Sequence, residues 1–208
     1  MQTDGFDRSA PALLLAAALA LAGCDAGSMT GGAASRTKVT VAGRAVTIVA
    51  PAGLCIDTAS TASDAAGAFV LMRDCGAGSN ARPARAALTA SVSSGGLTGE
   101  GDATAASLQE LQEYLGTSDG LAMVGRSGRS DRVAIRSEHL AGDVLFVLVE
   151  DGGPQPIAGL DPVFWRAFLE VNERMIVLSV LGFGGVGPQQ GLDELAALAS
   201  AIRGANAG

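Results

Sequence analysis

Along KVTVAGRAVTIVAP, from Lys38 to Pro51, apolar residues alternate with small or polar ones. A period of two belongs to strands with one buried face, and Ala42-Gly43-Arg44 interrupts it. The segment is therefore expected to be a hairpin. Val39 and Val41 share a face of its first strand, and Val46 and Ile48 a face of its second. Gly67 to Cys75 and Arg85 to Ser93 read as a third and a fourth strand. The pattern then changes to a helical one, with Leu108, Leu111 and Leu115 on one stripe. Ser107 and Glu110 fit a capping box, although Asp102 or Thr104 serves equally as the start. RSGRSDR, Arg126 to Arg132, reads as an exposed linker rich in turns.

Two more strands follow within VAIRSEHLAGDVLFVLVED, joined by a loop at His139 to Asp143. Pro162 to Val171 and Arg174 to Phe183 form another hairpin around Asn172-Glu173. On its first strand Phe164 and Phe168 share a face and Trp165 takes the other. Either helices cover both faces, or Trp165 marks a contact patch for a partner. GLDELAALASAIRG closes the chain as a helix, with Asp193 and Glu194 in its first turn and Arg203 in its last. Gly204 is its expected stop, and Leu195, Leu198 and Ile202 its buried side. Four strands, a helix, four strands and a helix, joined mostly by hairpins, predict an α+β domain with a mainly antiparallel sheet.

The amino-terminal pattern is of a different kind. APALLLAAALALAG, Ala10 to Gly23, carries no charge and is too short for a membrane span of roughly 20 residues. It suits the apolar region of a secretory signal. Leu21-Ala22-Gly23-Cys24 then resembles the lipobox of bacterial lipoproteins, which implies a signal peptide over residues 1–23 and lipidation of Cys24. The stretch before it departs from that pattern, with Asp4 and Asp7 against a single Arg8. A buried helix followed by a chance cysteine is the alternative. Asp25 resembles the signal for retention in the inner membrane. Two acyl chains anchor stably where one is marginal. Residues 24–36, rich in glycine and small polar residues, read as a flexible tether. Residues 37–208 then form a single domain, on the periplasmic face of a membrane.

Cys55 and Cys75 remain, and an even pair in an exported protein suggests a disulfide, two separate buried thiols being the alternative. The formal net charge is −7 and Lys38 is the only lysine, so nucleic acid is not an expected partner.

The motifs that could carry chemistry are weak. Gly182, Gly184 and Gly187 spell G-x-G-x-x-G between a strand and a helix. No further strand follows to complete a dinucleotide unit, and Pro188 delays the helix. Ser35 to Lys38 matches S-x-x-K, yet sits at the end of the tether without companion motifs. His139, the only histidine, lies beside Glu138 and could act as a base. Glu150, Asp151, Glu170 and Glu173 allow a carboxylate pair in principle, and nothing selects two of them. Asp151 to Asp161 could bend around calcium but lacks alternating acids. One histidine and two cysteines make a zinc or iron–sulfur site unexpected. No catalytic, cofactor-binding or metal-ligating residue is assigned.

In element order, VTIVAPAGLCID and the closing hairpin with its amphipathic helix resemble the PsbP and Mog1 family of α/β/α sandwiches. That resemblance implies an accessory or binding role beside larger complexes. VTIVAPAGLCID, FVLMRDC and FWRAFLEVNERMIVLSVLGF make the chain similar to a group of lipoproteins from Rhodobacter-like alphaproteobacteria that brings no established activity. The expectation is a lipid-anchored, non-catalytic binding or accessory module for an envelope protein or complex. An envelope hydrolase and a small-ligand carrier are its rivals.

Overall fold

The computed structural model describes residues 34–76, 86–97 and 105–208. The expected signal peptide, Cys24, Asp25, the tether as far as residue 33 and the helix starts at Asp102 and Thr104 lie outside them. The fold is α+β, with a mainly antiparallel sheet of hairpins.

The first hairpin, β1 (Arg36–Val41) and β2 (Arg44–Val49), forms a two-stranded sheet of its own. Its turn places both Ala42 and Gly43 at positive φ, the backbone that keeps pace with strand twist in a two-residue hairpin. Val39, Val41, Val46 and Ile48 are all buried. The main sheet comprises β3 (Leu54–Ile56), β4 (Ala62–Ser63), β5 (Gly67–Asp74), β6 (Ala86–Ser93), β7 (Val133–Ala141), β8 (Val144–Asp151), β9 (Val163–Val171) and β10 (Arg174–Gly182). It is ordered β3-β5-β6-β10-β9-β8-β7, with β4 paired to β5. The Cys55–Cys75 disulfide forms, linking β3 to the end of β5 with Cα atoms 4.8 Å apart.

Helices pack on both faces of this sheet. On one, α3 (Pro188–Asn206) packs on β9 and β10 and meets β2, enclosing Leu178, Leu195, Leu198 and Ile202. On the other, α1 (Ala105–Leu115) and α2 (Ser118–Val124) cover β7 and β8, around Leu108, Val147, Phe164 and Phe168. The two phenylalanines face α1 and α2 and Trp165 faces α3, as alternation along β9 requires.

Several boundaries differ from expectation. Ser107 lies inside the first turn of α1 rather than ahead of it. α2 was not expected, because seven residues are too few to establish a period; Thr117 starts it, its hydroxyl accepting from the Gly120 N–H at 3.1 Å. His139 lies in β7, opposite Phe146, and the turn tightens to Gly142-Asp143, with Gly142 at φ 63°. α3 begins at Pro188, because a proline at the first helical position gives up an N–H that has no partner there anyway. Asp193 and Glu194 therefore fall beyond the first turn, and Gly204 is interior. Asn206 ends the helix instead: its amide donates to the Ile202 and Thr47 carbonyls, and its oxygen accepts from the Thr47 N–H, tying α3 to β2.

Candidate functional site

Phe164 and Phe168 point toward α1 and α2, so the residue midway between them must point the same way. That residue is Arg166. In the register of the sheet Arg166 stands opposite Ser179 on β10, and Ser179 opposite Thr89 on β6. The result is a polar row, Thr89–Ser179–Arg166, crossing three central strands on one face, where opposed residues are direct neighbours. Thr89 and Ser179 are each only 7 % exposed.

A second arginine joins this row from the segment after α2. Arg126 lays its guanidinium over the Phe164 ring, 3.5 Å from the centroid, and Arg166 lies 5.7 Å from the same centroid. Arg126 is well held. One Nη donates to the Asp161 carbonyl at 3.0 Å and the other to the Val180 carbonyl at 2.9 Å. The expectation that Arg126 to Arg132 forms an exposed linker fails at its first residue, since the aromatic face and these carbonyls draw Arg126 inward.

Arg166 is held far less. Its one hydrogen bond among the described residues, from an Nη to the Gly125 carbonyl, is long at 3.5 Å. The Nε atoms of both arginines are sealed from solvent without a partner. Burial pushes the Arg166 guanidinium down to about 10, opposed by the nearby Asp151 charge. Burial first, and then the charge of Arg166, push Arg126 down to about 10 as well, against Asp151 and Asp161. Both remain cations at neutral pH.

Asp151 is wholly buried, yet it is already engaged. Its oxygens accept from the N–H groups of Arg126 and Ser127 at 2.7 Å each and from the Gly153 N–H and the Ser127 hydroxyl at 2.8 Å each. Burial works to raise its pKa. The hydrogen bonds from Ser127, Gly153 and Arg126 prevail and hold it below the usual carboxylate range. Asp151 thus fixes the loop that delivers Arg126.

The cleft around these groups is about 290 Å³. Phe69, Ile157, Leu160 and Leu181 contribute apolar walls, and Phe69 and Ile157 are 41 % and 50 % exposed. Two cations, the hydroxyls of Thr89, Ser91 and Ser179, and an apolar rim can hold an anion. They include no nucleophile paired with a base.

The residues singled out in the sequence lie elsewhere. Trp165 is buried rather than presented as an open contact patch, its Nε1–H donating to the Pro188 carbonyl at 2.7 Å. It lines a second cavity of about 280 Å³ under the start of α3, which Gly182 and Gly187 also border. The glycine motif there is occupied by the chain itself, since the Gly184 N–H donates to Asp161 at 3.0 Å. An acidic side chain in that position repels phosphate.

His139 and Glu138 occupy successive positions of β7 and point to opposite faces; Glu138 accepts from Gln112 on α1 at 2.6 Å, and His139 is exposed near Phe146. They do not share a cleft. The four acids considered as a pair are each engaged separately: Glu150 with Arg136, Asp151 as above, Glu170 with the Leu97 N–H, and Glu173 with Arg44. Among the described residues no group of three or more His, Cys, Asp or Glu side chains could hold a metal ion. No described helix is long and apolar enough to cross a membrane.

Arg166, Thr89 and Ser179 were missed in the sequence, although FWRAF carried the signal: an arginine midway between two inward phenylalanines is itself inward. Compared with protein-family models, with curated proteins and with solved structures, the chain matches none.

Proposed function

We propose that this protein is a lipid-anchored, non-catalytic binding module of the cell envelope. In this reading Cys24 carries the lipid, the stretch from residue 25 to residue 33 gives reach, residues 34–36 already pair with the domain, and the α+β domain serves as an accessory to a membrane or periplasmic complex. The observation that carries the binding role is the Thr89–Ser179–Arg166 row facing the cleft, in which Arg166 keeps one long bond to the Gly125 carbonyl and an Nε sealed without a partner among the described residues. Leaving buried polar groups unpaired costs about 1–3 kcal/mol each, more when they are charged. A fold retains that cost where a ligand relieves it. A hydrolase would need His139 and Glu138 beside a serine, and the two lie on opposite faces of an edge strand.

Crosslinking in intact cells, followed by purification from membranes, tests the module as a whole. A single envelope complex recovered with the wild-type chain and lost with Cys24→Ala is the expected result. Cys24→Ala protein still in the membrane pellet would sink the anchor, and the absence of any specific partner would sink the accessory role.

A further inference from the structure

Resting on that binding role, we infer that the Arg126–Arg166 cleft is a site for a small monocarboxylic acid with an apolar body. Its carboxylate would sit against Arg166 and the hydroxyls of Ser179 and Thr89.

Charge selects the acid. Arg126 spends its Nη donors on the carbonyls of Asp161 and Val180 and has Asp151 and Asp161 nearby. Among the described residues Arg166 has one long bond to Gly125, and its one carboxylate neighbour is Asp151, which already accepts four hydrogen bonds. Among the described groups of the cleft, the charge left without a close partner is therefore that of Arg166. A single carboxylate answers it, and the planar guanidinium fork matches carboxylate geometry. A dianionic phosphate would bring a second negative charge that no free cation among the described residues of the cleft answers.

Geometry selects the rest of the ligand. Thr89 and Ser179 follow Arg166 along one cross-strand row, so a carboxylate beside the guanidinium also lies near two hydroxyl donors. Beyond the row the walls are apolar, and Phe69 and Ile157 stand exposed at the rim. Apolar walls with few, placed polar groups are the usual form of a small-molecule site, and about 290 Å³ lies at the small end of the range.

The test uses the full chain in lipid nanodiscs, with the ¹⁵N–¹H resonance of Arg166 Nε as reporter. Titration with hexanoate should shift it saturably, while hexanol, which lacks the charge, and inorganic phosphate should shift it little. Arg166→Gln should weaken hexanoate binding by about tenfold or more, through loss of a charge-assisted pair. Binding measured by calorimetry follows that variant, and Ser179→Ala and Thr89→Val, which preserve shape, carry the same test if Arg166→Gln does not fold. The inference is overturned if hexanol binds as well as hexanoate, if phosphate binds more tightly, if hexanoate does not bind, or if these substitutions leave its affinity unchanged. A hexanoate failure with the envelope complex still captured removes the ligand and leaves the module. Hexanoate binding with no partner captured does the reverse.

Discussion

On one face of the main sheet, α3 and the β1–β2 hairpin enclose a continuous apolar core. On the other, α1 and α2 cover the β7–β8 end, and farther along, β9, β10 and β6 present Arg166, Ser179 and Thr89. Alternation decides both outcomes residue by residue. Leu178 and Val180 go into the dry side, and Ser179 between them goes into the cleft. Arg166 is flanked in the same way by Trp165 and Ala167. One face is thus arranged for stability, and part of the other leaves the Nε atoms of Arg126 and Arg166 sealed without a partner among the described residues. The contrast gives substitutions opposite signs on the two sides of one strand.

The largest effect belongs to the sealed face. Leu198 on α3 is fully buried, and Leu198→Ala should destabilise the domain by about 3–4 kcal/mol through lost transfer energy and the cavity left behind. Denaturant unfolding measures this, and a loss below about 1 kcal/mol would mean that this face is not close-packed.

The disulfide asks whether the two faces unfold together. Closing a loop of 20 residues between Cys55 and Cys75 contributes on the order of 3 kcal/mol. A Cys55→Ala/Cys75→Ala variant should lose about that much. Trp165 fluorescence reports the sealed side, and an Arg166 Nε resonance reports the cleft. Both should move in one transition, and two separate midpoints would show that the faces are independent units.

The sequence made the sealed face easy to recognise and the cleft hard. Val39, Val41, Val46 and Ile48, and the Leu195, Leu198 and Ile202 stripe, repeat at the periods of strand and helix, so burial follows from spacing. The cleft instead joins Thr89, Arg126, Arg166 and Ser179 from four distant segments, and none lies in a motif. Arg126 stood in what reads as a polar linker, because neither the short α2 before it nor the Phe164 ring that receives it has a local signature. Register, which no single strand encodes, lines up Thr89, Ser179 and Arg166. The prominent signals went to packing or to internal pairing: the glycine motif to Asp161, and Trp165 to the start of α3.

Acid should separate the faces in a third way. Asp151 has its pKa lowered by folding, so its contribution is fully present above the ordinary carboxylate value and is lost as pH falls through the lower folded value. As it is protonated, the amides of Arg126, Ser127 and Gly153 lose their acceptor, and Arg126 loses its anchor at the cleft. Hydrogen exchange at those three amides should rise on acidification before exchange in β9 and β10 does. Asp151→Asn should raise it already at neutral pH. Simultaneous loss of protection on both faces would show that Asp151 has no local role.

The smallest effect has the opposite sign. Arg166→Met removes a guanidinium that makes one long hydrogen bond and leaves its Nε sealed without a partner, and it keeps an unbranched side chain between Phe164 and Phe168. Replacing a poorly paired buried charge with an apolar side chain of similar length is often neutral or stabilising by about 1 kcal/mol or more. Arg126 gains as well, because the repulsion from Arg166 that lowers its pKa disappears. The denaturation midpoint should therefore stay level or rise while hexanoate binding is lost. A parallel apolar trimming on the other side of the same strand, Leu169→Ala, should lower the midpoint sharply, since Leu169 is fully buried among apolar neighbours. If Arg166→Met instead destabilised the domain by as much as Leu169→Ala, Arg166 would be a structural residue, and the two faces would differ in composition but not in purpose.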